Sequence, residues 1–163
     1  MSSRVSGVVS SNSSPQVQAV VQWLTALAES DFATFDTLLT DDYVSTLLPR
    51  TLNTPDRTKE VYLGSLKTAL RAFTDFKFEV HEVIEGENAV AIHVSSNAKT
   101  TTGHPYTNEY TMFFRLKKNA DGKIQITGVK EFVDSLYSAG FFPAENERQK
   151  AAGTGVVLGG RTQ

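Results

Sequence analysis

Apolar residues in the first half of the chain recur every three or four positions, which is the spacing of one face of an α-helix. The clearest run follows Pro15 and comprises Val17, Val20, Val21, Leu24, Leu27 and Ala28. Proline suits the first turn of this helix because its missing N–H has no partner there, and Ser13 or Ser14 can cap it. A short second helix is predicted from Ser30, and a third has the stripe Tyr62, Leu66, Ala69, Leu70 and Phe73.

From Asp75 onward apolar and polar positions alternate, which is the period of a β-strand. Four long strands are predicted, beginning near Asp75, Ala89, Tyr106 and Lys123. A short strand over residues 43–48 and a short C-terminal helix over residues 134–140 complete the pattern. This order predicts an α+β fold: a cone-shaped, curved antiparallel sheet wrapped around three N-terminal helices, with an apolar pocket between them.

The composition of the two ends predicts that neither has stable structure. Residues 1–14 are rich in serine, and residues 149–163 are rich in glycine with one short apolar patch. Neither segment buries enough apolar surface to offset the entropy lost on ordering. The ordered domain is therefore expected over residues 15–148, which is within the size of a single domain.

Charge and residue usage exclude several classes of function. The net charge is -2 and the basic residues are scattered, so a nucleic-acid partner is not expected. There is no cysteine, which excludes disulfides and thiol catalysis, and the three histidines lack a metal-binding spacing. No metal or cofactor is predicted. Because no apolar run is long enough for a membrane span or a secretory signal, a cytoplasmic location is expected.

The most distinctive part of the sequence is GHPYTNEYTMFFRLKKNADGKIQITGVKEFVDSLY, residues 103–137. With the order of elements over residues 17–142, it resembles the SnoaL-like branch of the nuclear transport factor 2-like superfamily. That family includes polyketide cyclases, dehydratases, isomerases, epoxide hydrolases and proteins without known activity. The resemblance also implies a homodimer formed through the outer face of the sheet. Where the family often has Trp-Arg-Asp, this chain has Val129-Lys130-Glu131.

Glu131 is the first candidate for chemistry, because the resemblance places it where many relatives have a pocket carboxylate. Its neighbours on the same face of the strand, Val129 and Val133, are apolar. Such surroundings disfavour the charged form and raise the pKa of a carboxyl toward values useful for a general acid or base. The alternative is a solvent-facing glutamate that pairs with Lys130 or Lys117.

Asn108 is the second candidate, since its carboxamide interrupts an aromatic face of the third long strand. That face contains Tyr106, Tyr110, Met112 and Phe114. A buried amide requires hydrogen-bond partners. In a pocket Asn108 would bind a carbonyl or enolate-like oxygen of a ligand, whereas in a core it would hold a neighbouring backbone group.

Two further polar candidates each have a structural alternative. His93 is interpreted either as a proton shuttle working with Glu131 or as a structural histidine with satisfied partners. Asp134 matches a terminal aspartate of the family, but an aspartate at a helix start also caps free N–H groups. The predicted substrate-binding residues are aromatic: Tyr43, Tyr62, Tyr110, Trp23 and Phe114. For Trp23 the alternative is simple packing.

These residues predict a protein that holds a small apolar organic molecule of polyketide or terpenoid type. A cofactor-independent cyclase, isomerase or dehydratase would use Glu131 for proton transfer, with Asn108 and Tyr110 stabilising charge on oxygen. The alternative is a non-catalytic ligand-binding or dimerisation module of the same fold.

Overall fold

The structure is a computed structural model that describes residues 3–159. Its helices are α1 (Pro15–Glu29), α2 (Phe32–Leu38), α3 (Lys59–Leu70) and α4 (Ser135–Ala151). Its strands are β1 (Val5–Gly7), β2 (Leu39–Leu48), β3 (Arg57–Thr58), β4 (Phe73–Gly86), β5 (Ala89–Thr100), β6 (Pro105–Lys118) and β7 (Ile124–Val133). A 3₁₀ turn, Arg50–Leu52, follows β2.

Each N-terminal helix begins at a side chain that caps it. The hydroxyl of Ser14 accepts a hydrogen bond from Val17 N at 3.2 Å, and Pro15 occupies the first turn of α1. Asp31 caps α2 and Thr58 caps α3 in the same way. The predicted apolar face of α1 is buried, which confirms the helix and fixes the side that it turns toward the sheet.

The strands form one sheet in the order β1-β4-β5-β6-β7-β2-β3. Strands β4 to β7 are antiparallel neighbours, whereas β2 lies parallel to β7 and β1 lies parallel to β4. Register shifts in β2, β4 and the β6–β7 pair mark irregularities that bend strands and increase their twist. The predicted α+β fold, a curved sheet wrapped around the first three helices, is confirmed.

Trp23 lies at the centre of the core between the helices and the sheet. Its ring meets Phe114 of β6 edge-on at 5.3 Å and Phe35 of α2 at 6.1 Å. It also stacks on Tyr62 of α3 at 6.5 Å. Aromatic pairs in these geometries contribute stability beyond the apolar area that they bury. Trp23 and Phe114 therefore have a packing role.

The N-terminal segment differs from the expectation of disorder for residues 1–14. Val5 and Val9 are buried, and β1 pairs with residues 78–80 of β4. Val5 and Val9 pack against the rest of the domain, which the composition of the segment alone does not predict. Met1 and Ser2 lie outside the described residues.

The C-terminal segment also differs from expectation. Helix α4 continues well past residue 140 to Ala151, and residues 149–159 are not a free tail. Val156 and Leu158 are buried against Ala72 and Phe142. Both main-chain groups of Leu158 bond to the Asn146 side chain, at 2.7 and 2.8 Å. Residues 160–163 lie outside the described residues.

Replacing Leu158 by alanine is expected to lower the free energy of unfolding by about 2–3 kcal/mol, because a buried leucine is lost from a packed site. Urea denaturation measures this. The matched control is Val157→Ala, since Val157 is 62% exposed and should change stability by less than about 0.5 kcal/mol. Equal stability of the two variants would show that this segment does not pack as described.

Candidate functional site

Glu131 lies on the inner face of the sheet, the face that covers the helices. In β7 it is opposite Met112 of β6 and Leu47 of β2. Met112 is buried, and the strand neighbours Val129 and Val133 are buried on the same side. Lys130 is exposed on the other face, and Lys117 Nζ lies 3.6 Å from Asp42. The arrangement is therefore not that of a solvent-facing glutamate paired with either lysine.

The Glu131 carboxylate has no hydrogen bond or ion pair with any of residues 3–159. Burial raises its pKa, and the positive charge of Arg57 offsets part of that rise. The side chain keeps some accessible surface although protein encloses it. Burial that disfavours the charged form is the main influence on this carboxyl.

Tyr62 of α3 is the centre of a cluster that faces this carboxylate. The Tyr43 ring of β2 lies 5.4 Å from it, and the Arg57 guanidinium carbon lies 5.3 Å from its ring centroid. Trp23 stacks on Tyr62 with an angle of 14° between the planes. Burial raises the pKa values of Tyr43 and Tyr62, and the nearby Glu131 charge adds to the rise. Both phenols are therefore neutral near pH 7.

Three buried polar atoms of this cluster have no hydrogen-bond partner in the described part of the chain. They are Trp23 Nε1, Tyr43 OH and Arg57 Nε. The hydroxyls of Ser45 and Tyr62 lie near enough to Tyr43 to affect its pKa, but neither forms a well-aligned hydrogen bond with it. Buried donors without partners cost free energy, so each such group requires an explanation.

Arg57 was not among the candidates from sequence, and its position depends on the loop before α3. Asp56 accepts a hydrogen bond from Thr46 at 2.9 Å and pairs with Arg50 at 2.8 Å. These contacts hold the loop against β2, where Arg57 lies opposite Ser45 and donates to its hydroxyl at 3.1 Å. Because this strand has only two residues, it shows no periodic pattern, and the sequence does not predict which way the Arg57 side chain points.

Asn108 is buried on the inner face, as its parity predicts, and its amide is engaged by the protein. The Nδ2 group donates to Tyr106 OH at 3.1 Å and to Ser138 Oγ at 3.0 Å. The Oδ1 atom accepts a hydrogen bond from Glu109 N at 2.8 Å. Tyr106 OH also lies 3.0 Å from Tyr110 OH. Burial raises the pKa of Tyr106 to about 12.

The prediction that His93 shuttles protons with Glu131 is wrong. In β5 His93 lies between buried Ile92 and Val94, so it points to the outer face. Its Nε2 lies 2.5 Å from Glu109 Oε1, and its ring lies 4.8 Å from the His81 ring. The sheet itself separates His93 from Glu131.

Asp134 caps helix α4, which was the structural alternative for this residue. Its Oδ1 atom accepts a hydrogen bond from Tyr137 N at 3.0 Å. Asp134 also borders a polar groove of about 470 Å³ on the outer side of the sheet, together with Lys77, Glu79 and Thr107. Glu131 does not line this groove.

Within residues 3–159 the structure shows neither a candidate metal site nor a helix able to cross a membrane. Residues 3–159 contain no cluster of three or more histidine, aspartate or glutamate side chains arranged to hold a metal ion. None of the four helices among these residues combines the length and apolar character needed to cross a bilayer.

Comparisons with known proteins identify the family and the fold. The model of the SnoaL-like domain matches residues 20–126. The chain belongs to the SnoaL-like family. The family match includes Trp23, Tyr43, Arg57 and Tyr62 and ends before Glu131. The predicted resemblance to this branch of the nuclear transport factor 2-like proteins is thus confirmed.

Among relatives of this SnoaL-like protein is the monooxygenase ptaG of Pestalotiopsis fici, which is 30% identical over 125 residues. The alignment covers 75% of this chain and 81% of the relative. Among solved structures, the BvnE pinacolase of Penicillium brevicompactum has a TM-score of 0.68 at 23% identity, over 85% of this chain and 96% of that one. IdmH, a putative polyketide cyclase of Streptomyces antibioticus, has a TM-score of 0.62 at 19% identity, over 77% and 95%. At these identities the structural matches establish the fold.

Proposed function

We propose that this SnoaL-like protein is a small-molecule enzyme that uses Glu131 to move a proton inside the cone, without a cofactor. The proposed reaction is a cyclisation, isomerisation or dehydration of a polyketide- or terpenoid-like substrate. One observation carries the proposal: an enclosed carboxylate without hydrogen bonds faces a cluster with three unpartnered buried donors.

The donors and the carboxylate of this site have complementary roles when a proton leaves carbon or oxygen. The donors bind the oxygen that becomes negative, and the carboxylate takes the proton. A substrate carbonyl or hydroxyl oxygen would accept hydrogen bonds from Tyr43 and Arg57, which stabilise developing negative charge. Glu131 would take or deliver the proton, and its raised pKa brings it nearer to neutral pH, where acid and base forms both work. Besides its packing role, Trp23 would offer its unpartnered indole N–H as a third donor.

The names of the structural neighbours support this class of reaction. BvnE is named a pinacolase and IdmH a putative polyketide cyclase, and both names denote the conversion of small organic molecules. The relative ptaG is named a monooxygenase, so small-molecule chemistry is the element that the three names share.

A homodimer is proposed as a property of the same protein, and exposed aromatic residues on the outer face favour it. Phe113 and Phe132 are 42% and 47% exposed on neighbouring strands. Sedimentation velocity of the wild type and of the Phe113→Ser variant tests this proposal. A dimer that the substitution weakens supports it, and a wild-type monomer at micromolar concentration rejects it.

Thermal-shift screening of oxygenated polycyclic and terpenoid ketones, followed by mass spectrometry of any hit, tests the proposed reaction. A ligand at 100 times its Kd stabilises the folded state by about 2.7 kcal/mol. The proposal expects stabilisation and a product of unchanged mass or one that has lost water. Ligands that stabilise the protein but are never converted would instead identify a binding module.

A further inference from the structure

Arg57 carries a positive charge that no carboxylate of residues 3–159 neutralises by a direct ion pair. Asp56, its neighbour in sequence, pairs with Arg50 instead, with 2.8 Å between Nη1 of Arg50 and Oδ1 of Asp56. The guanidinium of Arg57 contacts a neutral hydroxyl and an aromatic ring. Because the charge is not cancelled, the contacts that fix the position of the guanidinium decide on which groups it acts.

The hydroxyl of Ser45 forms the one hydrogen bond that the Arg57 guanidinium makes within the described part of the chain. Nη2 of Arg57 donates to Ser45 Oγ at 3.1 Å, since a guanidinium has donors only. The buried Nε atom has no partner there. The ring of Tyr62, with its centroid 5.3 Å from the guanidinium carbon, supplies a second contact. A ring face has no directional acceptor atom, so the hydroxyl is the contact that fixes the orientation of Arg57.

Ser45 places the guanidinium on the inner face of the sheet, above β2. Ser45 is 2% exposed and its neighbour Val44 is 43% exposed, so the Ser45 side chain points inward. Strand β2 lies between β3 and β7, and Ser45 is opposite both Arg57 of β3 and Val129 of β7. Glu131 follows Val129 by two residues and points to the same face. The Arg57 side chain therefore reaches from the edge strand toward the strand that carries Glu131.

A hydroxyl group at Ser45 suits this role better than either an acidic or an apolar side chain. A carboxylate would bind Arg57 but would also cancel its charge. An apolar side chain would leave the long arginine side chain free to turn toward water and regain rotamer entropy. The hydroxyl holds the guanidinium and leaves its charge uncompensated. That charge acts on the site, because Arg57 lowers the pKa of Glu131 against the effect of burial.

We infer that Ser45 is a positioning residue, whose hydroxyl holds the Arg57 guanidinium on the inner face of the sheet without neutralising it. The inference rests on the proposed function, in which Arg57 binds the oxygen that becomes negative and Glu131 moves the proton. Ser45 acts through Arg57 and not on the substrate. Its loss should therefore change the groups that respond to the Arg57 charge.

No other ionisable group near Glu131 is replaced when Ser45 is changed. These groups are Tyr43 of β2, Tyr62 of α3, and Tyr106 and Tyr110 of β6. Burial raises the pKa values of all four phenols, so they are neutral near pH 7. A change in the pKa of Glu131 in a Ser45 variant therefore reports on the position of the Arg57 charge.

A ¹³C NMR titration of the Glu131 carboxyl in Ser45→Thr and Ser45→Val tests the inference without a substrate. The two side chains have the same shape, and only threonine keeps a hydroxyl for Arg57. The pKa of Glu131 is expected to stay near the wild-type value in Ser45→Thr. In Ser45→Val it should rise by about one pH unit, because the arginine charge moves away. In an Arg57→Met background the two variants should give the same Glu131 pKa.

Equal Glu131 pKa values in Ser45→Thr and Ser45→Val would overturn the inference. If the branched side chains prevent folding, Ser45→Ala is compared with the wild type, and an unchanged Glu131 pKa would contradict it. The wild type gives a further test: the δ protons of Arg57 should show nuclear Overhauser contacts to the Tyr62 ring, and their absence would also contradict it. Because no substrate is used, a negative result leaves the turnover of Glu131→Gln to decide the proposed function separately.

Discussion

Replacing Glu131 by glutamine is expected to lower kcat/KM for an identified substrate by about 10²–10⁴-fold, which is the usual contribution of a positioned general acid or base. Glutamine keeps the size of the side chain but exchanges no proton. Steady-state kinetics near neutral pH measures the loss. Turnover within the error of the wild-type value would remove Glu131 from the reaction.

The same substitution is expected to raise stability at pH 7 and not to lower it. The pKa of Glu131 is higher in the folded than in the unfolded chain, so the folded protein holds the proton more tightly. At pH values below the pKa of Glu131 in the unfolded chain, the side chain is uncharged in both states and does not oppose folding. As the pH rises from that pKa to the pKa in the folded chain, the wild type loses stability. Urea denaturation should show that the advantage of Glu131→Gln is present at pH 7 and vanishes near pH 4.

His93→Gln is the matched control for both measurements. It changes an ionisable side chain on the outer face of β5, which β6 separates from the Glu131 strand β7. Turnover and its pH profile should match the wild type. A loss similar to that of Glu131→Gln would mean that the two residues act together despite the sheet between them.

Replacing Arg57 by methionine is expected to lower kcat by about 10²–10³-fold, as the loss of one donor to a developing oxyanion does. Methionine retains the apolar stem that packs over the Tyr62 ring. Since the Arg57 charge lowers the pKa of Glu131, its removal should also raise that pKa further. Steady-state kinetics and a ¹³C titration of Glu131 measure the two effects.

Arg50→Met is the control for Arg57→Met, because Arg50 is an exposed arginine of the same loop that pairs with Asp56. Its effect on kcat should be small, since exposed ion pairs contribute about 0–1 kcal/mol. Equal losses in the two variants would attribute the effect of Arg57 to loop structure. A normal kcat in Arg57→Met would exclude it from the reaction.

The main helices and strands were predictable because their apolar residues repeat with the period of the element that they form. The ends were not, since Val5 and Leu158 lie in short apolar patches within serine-rich and glycine-rich segments. Val5 is buried against β4, and Leu158 is buried against α4 and the segment around Ala72; β4 and Ala72 lie far from these ends in the sequence. The composition of the end segments therefore does not predict these contacts.

The candidate site was predictable only where parity along a long strand decides the direction of a side chain. Glu131 and Asn108 point inward as the alternation of β7 and β6 requires. The alternation of β5 already places His93 on the outer face, because Ile92 and Val94 are buried, and the pairing agrees: Thr111 lies opposite both His93 and the outward Phe132. Arg57 depends on a two-residue strand, which has too few positions to show a period.

A crystal structure of the protein with a ligand from the thermal-shift screen tests the proposed site most directly. The prediction is an oxygen of the ligand within hydrogen-bond distance of Tyr43 OH and Arg57 Nε, with the Glu131 carboxylate facing the adjacent reacting atom. A ligand bound in the outer groove beside Lys77 and Asp134, with protein side chains filling the space before Glu131, would contradict it.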